Sequence, residues 1–210
     1  MKKRSEPNFY EEPKESSIYD LSSDYRQNNY FFKNEVYDEP LDYREFYECK
    51  FEKVTFSNHI RRAMFTDVIF ENCDFSNIDM RECVFHRVIF NKCRLTGTDL
   101  TQGTIDSVLI KNSLAQYANF SSSKIKDSEF VEDIFIDGGF SMCKLNHVEI
   151  SRCDFSRAEF NDTKLNELDF STSNISEVIF DINHIRGIIL NEEQALACAK
   201  LLGIVVKEQY

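Results

Sequence analysis

The reactive side chains of this chain of 210 residues are 7 Cys, 4 His and an excess of carboxylates. A structural zinc site needs four ligands held close together, usually announced by a CxxC pair or a tight Cys and His cluster. Neither is present, so Cys49, Cys73, Cys83, Cys93, Cys143, Cys153 and Cys198 offer no ligand set, and no metal or cofactor is expected. His59, His86, His147 and His184 have no spacing that recruits a Ser or Cys nucleophile. With 6 Gly there is no glycine-rich phosphate loop either. No enzyme chemistry is predicted.

The frame that must position these residues is a repeat of five. From Ile60 to Leu190 every fifth position is apolar, without a polar exception, through Phe65, Phe70, Phe75, Met80, Phe85 and onward to Phe170, Ile175, Phe180 and Ile185. A helix needs apolar spacings of three and four and a strand needs two, so a strict five fits neither. The position two before each large residue is small or compact, as in Ala63, Cys73, Cys83, Cys93, Gly103, Ser113, Ala118 and Ser123. Two inward residues in every five make a chain that bends at a fixed interval and buries each turn against the next, which is a solenoid. Six cysteines, all but Cys198, fall in the small inward register and read as core filler. Asp133 also falls there, beside Gly138 and Gly139, and reads as a locally opened coil. Phe46, Phe51 and Phe56 keep the step but lie one residue out of phase, which predicts a kink or short bulge near Ser57 to His59.

Stretches such as CDFSN, CRLTG, TDLTQ, ANFSS, CDFSR and AEFND resemble the pentapeptide repeat, written A(D/N)LXX, over roughly residues 46 to 190. The resemblance implies an all-β fold, a right-handed quadrilateral β-helix with four pentapeptides per coil, stacked at about 4.8 Å. It also implies relatives of the Qnr-type quinolone-resistance proteins, which bind DNA gyrase or topoisomerase IV as rods with DNA-like dimensions and charge, and the C-terminal helix followed by LLGIVV looks like theirs. The unbroken five-step leaves no room for the long loops many of them carry, a departure that bears on drug protection more than on topoisomerase binding. The alternative function is a scaffold or interaction rod with an unassigned partner.

Three segments are expected. Residues 1–40 lack the repeat, are acidic and Tyr-rich, and read as a flexible arm, in which Tyr30, Phe31 and Phe32 either dock on the rod or on a partner, or remain in a poorly ordered tail. Residues 41–190 form the β-helix. Residues 191–210 open on a helix with Asn191 as N-cap, Gln194 completing a capping box and Gly203 at the stop. The apolar face of that helix, with Leu196, Leu201 and Leu202, is expected to join two chains into a homodimer, or else to cap the last coil.

Charge decides the kind of partner. Lys and Arg total 25 against 36 Asp and Glu, a net charge of -11, which repels nucleic acid and anionic membranes and favours a basic protein surface. No leader or spanning segment is apparent, so a cytoplasmic location is expected. Residues 60–125 hold 7 acidic and 8 basic residues, whereas residues 126–190 hold 13 acidic and 6 basic. With 20 residues per coil, Glu129, Glu149 and Asp169 stack on one face and Asp154 takes the same register on the adjacent face. These four are the expected partner-binding residues.

Overall fold

The computed structural model describes residues 4–21, 25–201 and 203–207, with the backbone alone at Leu201. Its strands are β1 Lys14–Glu15, β2 Arg26–Asn28, β3 Tyr30–Lys33, β4 Val36–Tyr37, β5 Glu45–Tyr47, β6 Lys50–Glu52, β7 Thr55–Phe56, β8 Met64–Glu71, β9 Val84–Asn91, β10 Thr104–Asp106, β11 Leu109–Lys111, β12 Lys124–Val131, β13 Lys144–Ser151, β14 Glu159–Phe160 and β15 Ile179–Phe180, and helix α1 is Glu192–Leu201. The strand pairings among the described residues are parallel and join residues on successive coils, as in Phe65 with Phe85, Phe85 with Ile105 and Ile105 with Ile125. The fold is the right-handed quadrilateral β-helix, with about eight turns and one C-terminal helix.

The five-residue columns are the core. Phe65, Phe70, Phe75, Phe85, Phe120, Phe135, Phe140 and Phe155 are all less than 2% exposed. Burying each Phe contributes about 1.5–3 kcal/mol, and stacking adds directionality. Phe46, Phe65 and Phe85 stack ring on ring at 5.3 Å, and Phe120, Phe140 and Phe160 repeat the arrangement at 5.0 and 4.9 Å.

At most corners the residue two after the central one is left-handed, for example Asn72 (φ 55°), Asn77 (φ 61°), Glu82 (φ 61°) and Arg87 (φ 51°). A side chain there costs about 1 kcal/mol. The turn keeps the backbone ladder running, since the Asn72 and Asn77 N–H groups donate to the Asn91 and Thr96 carbonyls at 2.9 and 2.8 Å. The second inward register closes the corners. Ser123 Oγ accepts the Gly103 N–H and donates to the Leu100 carbonyl, both at 2.9 Å, and Thr163 Oγ1 does the same between Cys143 N–H and Phe140 O at 2.9 and 2.6 Å.

The phase break is not a kink. Phe46 pairs with Phe65 and Phe51 with Phe70, while Phe65 pairs with Phe85, so the first coils are one residue shorter and still stack in register. The short corners run from Tyr37 to Leu41 and from Phe56 to Ile60, and the residue they omit is the left-handed one, since φ is positive at Tyr43 and Arg62 but at none of Asp38, Glu39, Ser57 or Asn58. Asp42 ties this corner to the next coil by accepting the Arg61 N–H at 2.8 Å.

Much of the segment expected to be a flexible arm is ordered on the rod. β2, β3 and β4 pair with β5, β6 and β7, Phe32 is fully buried, and its ring lies 4.9 Å from that of Phe51. The five-step runs through Gln27, Phe32 and Tyr37. It is hidden in the sequence because Gln27, 1% exposed, is polar and because the short corner at Leu41 shifts the phase.

At the other end, Asn191 Oδ1 accepts the Gln194 N–H at 3.0 Å and Gln194 Oε1 accepts the Asn191 N–H at 2.9 Å, a reciprocal capping box. Gln194 Nε2 also donates to the carbonyls of Phe170 and Ser173 at 2.9 and 2.7 Å, so the helix start satisfies acceptors on the open edge of the rod. Gly203 (φ 75°) ends α1, with the Ile204 N–H donating to Ala199 O at 3.0 Å. No helix among the described residues is long and apolar enough to cross a membrane.

Candidate partner-binding surface

The residues with reactive chemistry are absorbed by the architecture. Cys49, Cys73, Cys83, Cys93, Cys143 and Cys153 are buried free thiols, and burial pushes Cys49, Cys83, Cys143 and Cys153 up to about 12. Their S–H groups face backbone carbonyls, as Cys83 does toward Ile60 O at 2.8 Å. Three of the histidines meet an aspartate at hydrogen-bond distance, His59 with Asp42 at 2.7 Å, His147 with Asp127 at 3.0 Å and His184 with Asp181 at 2.8 Å.

Asp162, Asp181 and His184 bring their ligand-type atoms within 4.8 Å of one another. Asp181 is already engaged there, accepting the Asn183 N–H at 2.9 Å besides facing His184. This is the chemistry of a capped turn.

Asp133 does not open its coil. It is 1% exposed, and its two oxygens accept the N–H groups of Ser113 at 2.8 Å and Val131 at 3.1 Å. The ladder continues on either side, with Ile134 N–H to Ser113 O at 3.0 Å and Phe135 N–H to Asp154 O at 2.7 Å. Asp133 fits because it accepts the same corner N–H that Ser113 Oγ accepts one coil earlier, from Cys93 at 3.0 Å. Burial outweighs the two hydrogen bonds and raises its carboxyl to about 7.

The four acidic residues singled out by register take the expected positions. Glu129 pairs directly with Glu149 between β12 and β13, Asp169 bridges to Ile189, and Asp154 bridges to Ile134 and Asn174 on the adjacent face. Their surroundings differ. Asp154 and Asp169 cap corners, each accepting the N–H two residues on, from Ser156 at 2.9 Å and Ser171 at 2.8 Å. Glu149 is exposed, while Glu129 Oε1 lies 3.5 Å from Nε of Arg4. Of the expected association residues, Leu196 is 41% exposed on α1, the Leu201 side chain is not described and Leu202 lies outside the described residues.

Ion pairing separates the two halves more sharply than composition does. Between residues 60 and 125, each carboxylate except Glu71 lies within 4.0 Å of an Arg or Lys, typically one coil away: Asp67 with Arg87, Glu82 with Arg62, Asp74 with Arg94, Asp106 with Lys126, and Asp79 and Asp99 with Arg81. Beyond Asp137, itself paired with Arg157 at 2.7 Å, such partners stop. Glu149, Asp154, Glu159, Asp162, Glu167, Asp169 and Glu177 have no Arg or Lys in range among the described residues. These pairs across coils were not legible, because the partner lies a whole turn away.

Two models of one repeat family match the chain, the Pentapeptide repeat region over residues 63–138 and Pentapeptide repeats (8 copies) over residues 140–181. The chain belongs to the pentapeptide repeat proteins. Among solved structures it is similar to full-length QnrB1, a plasmid-mediated fluoroquinolone resistance protein, at 25% identity over 85% of this chain and 90% of that chain, with a TM-score of 0.48. A trypsin-treated QnrB1 matches at 26% identity over 87% of this chain and 90% of that one, with a TM-score of 0.47. HetL, a pentapeptide repeat protein involved in heterocyst differentiation regulation from the cyanobacterium Nostoc, matches at 13% identity over 80% of this chain and 90% of that one, with a TM-score of 0.35. No curated protein matches the chain in sequence.

Proposed function

We propose that this chain is a non-enzymatic binding rod that presents the carboxylates of its C-terminal half to a basic protein surface, that of a type II topoisomerase, DNA gyrase or topoisomerase IV, as a partial mimic of DNA. The observation that carries the reading is the run of carboxylates from Glu149 to Glu177 left without Arg or Lys partners among the described residues, on a rod whose carboxylates between residues 60 and 125, Glu71 excepted, are paired with Arg or Lys. Residues 126–190 carry 13 acidic against 6 basic residues over a length of roughly 16 Å, in which duplex DNA carries about nine charges. Glu129, Glu149, Asp154 and Asp169 are the proposed contacts. Two chains join through the C-terminal segment, where Leu196, Ile204 and Val205 are exposed, and this brings the acidic halves together at the centre of the dimer. Six buried free thiols suit a reducing cytoplasm. In a bacterial cell such a rod modulates quinolone sensitivity by occupying the enzyme's DNA-binding surface.

Glu129→Lys, Glu149→Lys and Asp169→Lys combined are expected to leave the fold intact and to abolish binding to purified gyrase or topoisomerase IV, and wild-type binding is expected to weaken with salt. A wild-type rod that binds neither enzyme at low salt is a scaffold for another partner.

A further inference from the structure

One corner of the rod is covered by the chain itself. Asp67, Ser107, Leu109 and Asp127 occupy outward registers on three of four successive coils, the remaining one carrying Arg87, yet each of the four is less than 9% exposed. One coil further, His147 and Glu149 are exposed. The segment that reaches this corner is residues 4–10. The Tyr10 N–H donates to Glu48 Oε2 at 3.0 Å, the Phe9 ring lies 5.2 Å from the Lys50 ammonium, and the Asn8 N–H donates to Asp67 Oδ1 at 2.8 Å. At the far end Arg4 is 7% exposed; its Nη2 donates to Glu6 Oε1 at 2.5 Å within the strap, and its Nε lies 3.5 Å from Glu129 Oε1, in ion-pair range without a hydrogen bond.

The distances close on an extended strap along the rod axis. Three coils separate the level of Asp67 from that of Asp127, about 14 Å at the interstrand spacing, and four extended residues from Asn8 to Arg4 span about the same. The strap therefore passes over the coil that carries Ser107 and Leu109. It has no ladder of its own. Residues 4–13 form no strand or helix; the Asn8 and Tyr10 N–H groups donate to carboxylates, and the Ser5 carbonyl accepts from Arg4 Nη1 at 3.3 Å. A segment held by charge-assisted contacts is weakened by salt and by cationic competitors.

We propose that this corner is a docking channel for an extended, arginine-bearing segment of the basic partner, and that residues 4–10 occupy it in the free chain, so that strap and partner exclude each other. The strap displays what the channel takes: backbone N–H groups against Glu48 and Asp67, and a guanidinium against Glu129. The proposal rests on the reading above for the basic character of the partner, and on the strap contacts for the channel.

The test measures hydrogen exchange at the Asn8 and Tyr10 amides in the full chain, with octa-arginine as the probe. In the wild type at low salt both amides are expected to be protected, and octa-arginine to bind and remove the protection. Asn8→Pro combined with Arg4→Gln takes away the contacts to Asp67 and Glu129 without adding negative groups, and is expected to bind octa-arginine about tenfold more tightly because the competing occupant is released from that stretch of the channel. Wild-type amides exchanging at free-peptide rates, octa-arginine failing to bind or binding with protection unchanged, or a double variant with wild-type affinity would each overturn the proposal. A chain that shows this competition but binds no topoisomerase keeps the channel and loses the topoisomerase. Topoisomerase binding with the strap amides still protected does the reverse.

Discussion

Replacing Asp133 by Ser tests whether the rod holds a carboxyl group at odds with its surroundings. Asp133 is buried among corner backbone, and two N–H donors, from Ser113 and Val131, favour its ionised form while burial disfavours it. Burial prevails and raises the group from 3.8 to about 7. A raised acid stabilises the fold fully below its unfolded pKa, and that stabilisation is lost as pH rises through the folded value. The wild type should therefore be more stable at pH 5 than at pH 8. At about 1.4 kcal/mol per pKa unit, the roughly two units between pH 5 and the folded value set a ceiling on the difference on the order of 3 kcal/mol. Asp42 and Asp79, held below the usual carboxylate range by hydrogen bonds from Arg61 and His59 and from Arg81 respectively, act in the opposite sense, and their contribution is lost only as pH falls below about 4. In Asp133→Ser the hydroxyl can accept the Ser113 N–H as Ser113 itself accepts that of Cys93. The variant should lose the slope between pH 5 and 8 and gain stability at pH 8, about 2–4 °C in melting temperature per kcal/mol for a chain of this size. Circular dichroism melts at pH 5, 6, 7 and 8 on both proteins measure this. A wild-type profile flat over that range, with Asp133→Ser neutral or destabilising at pH 8, would refute the reasoning and mean that the two N–H donors outweigh burial.

Three further outcomes are expected. Phe135→Arg places an unpaired charge in the ring column, where truncation of a Phe alone costs about 3–5 kcal/mol, and should unfold the rod cooperatively; unchanged circular dichroism and melting temperature would contradict the core. In native protein a thiol reagent should label Cys198, only partly buried, before Cys83, Cys93 and Cys153, which should wait for denaturant; rapid labelling of those three would contradict their placement. Leu196→Glu with Ile204→Glu leaves the Gln194 cap untouched and should convert dimers to monomers in sedimentation, whereas a wild type already monomeric at tens of micromolar ends the dimer proposal.

The period of five and the small register before it were enough to read a solenoid, the buried rings and the six inward cysteines, because burial imposes a local pattern that every coil repeats; the quadrilateral β-helix came with the family resemblance. The capping box at Asn191 and Gln194 was legible for the same reason, since both partners sit within one helical turn. Only the tertiary structure decided the rest. The shortened coils carry the repeat back through Phe32 and Tyr37, and no local signal tells a missing corner residue from the end of a repeat. Whether a carboxylate is neutralised depends on a cation twenty residues away that becomes adjacent only when coils stack, as Arg87 does beside Asp67. The strap has no period to read: residues 4–10 form no regular element, and their partners Glu48, Asp67 and Glu129 belong to different coils. Hydrophobic periodicity is written along the chain, whereas the charge a partner meets is set across it.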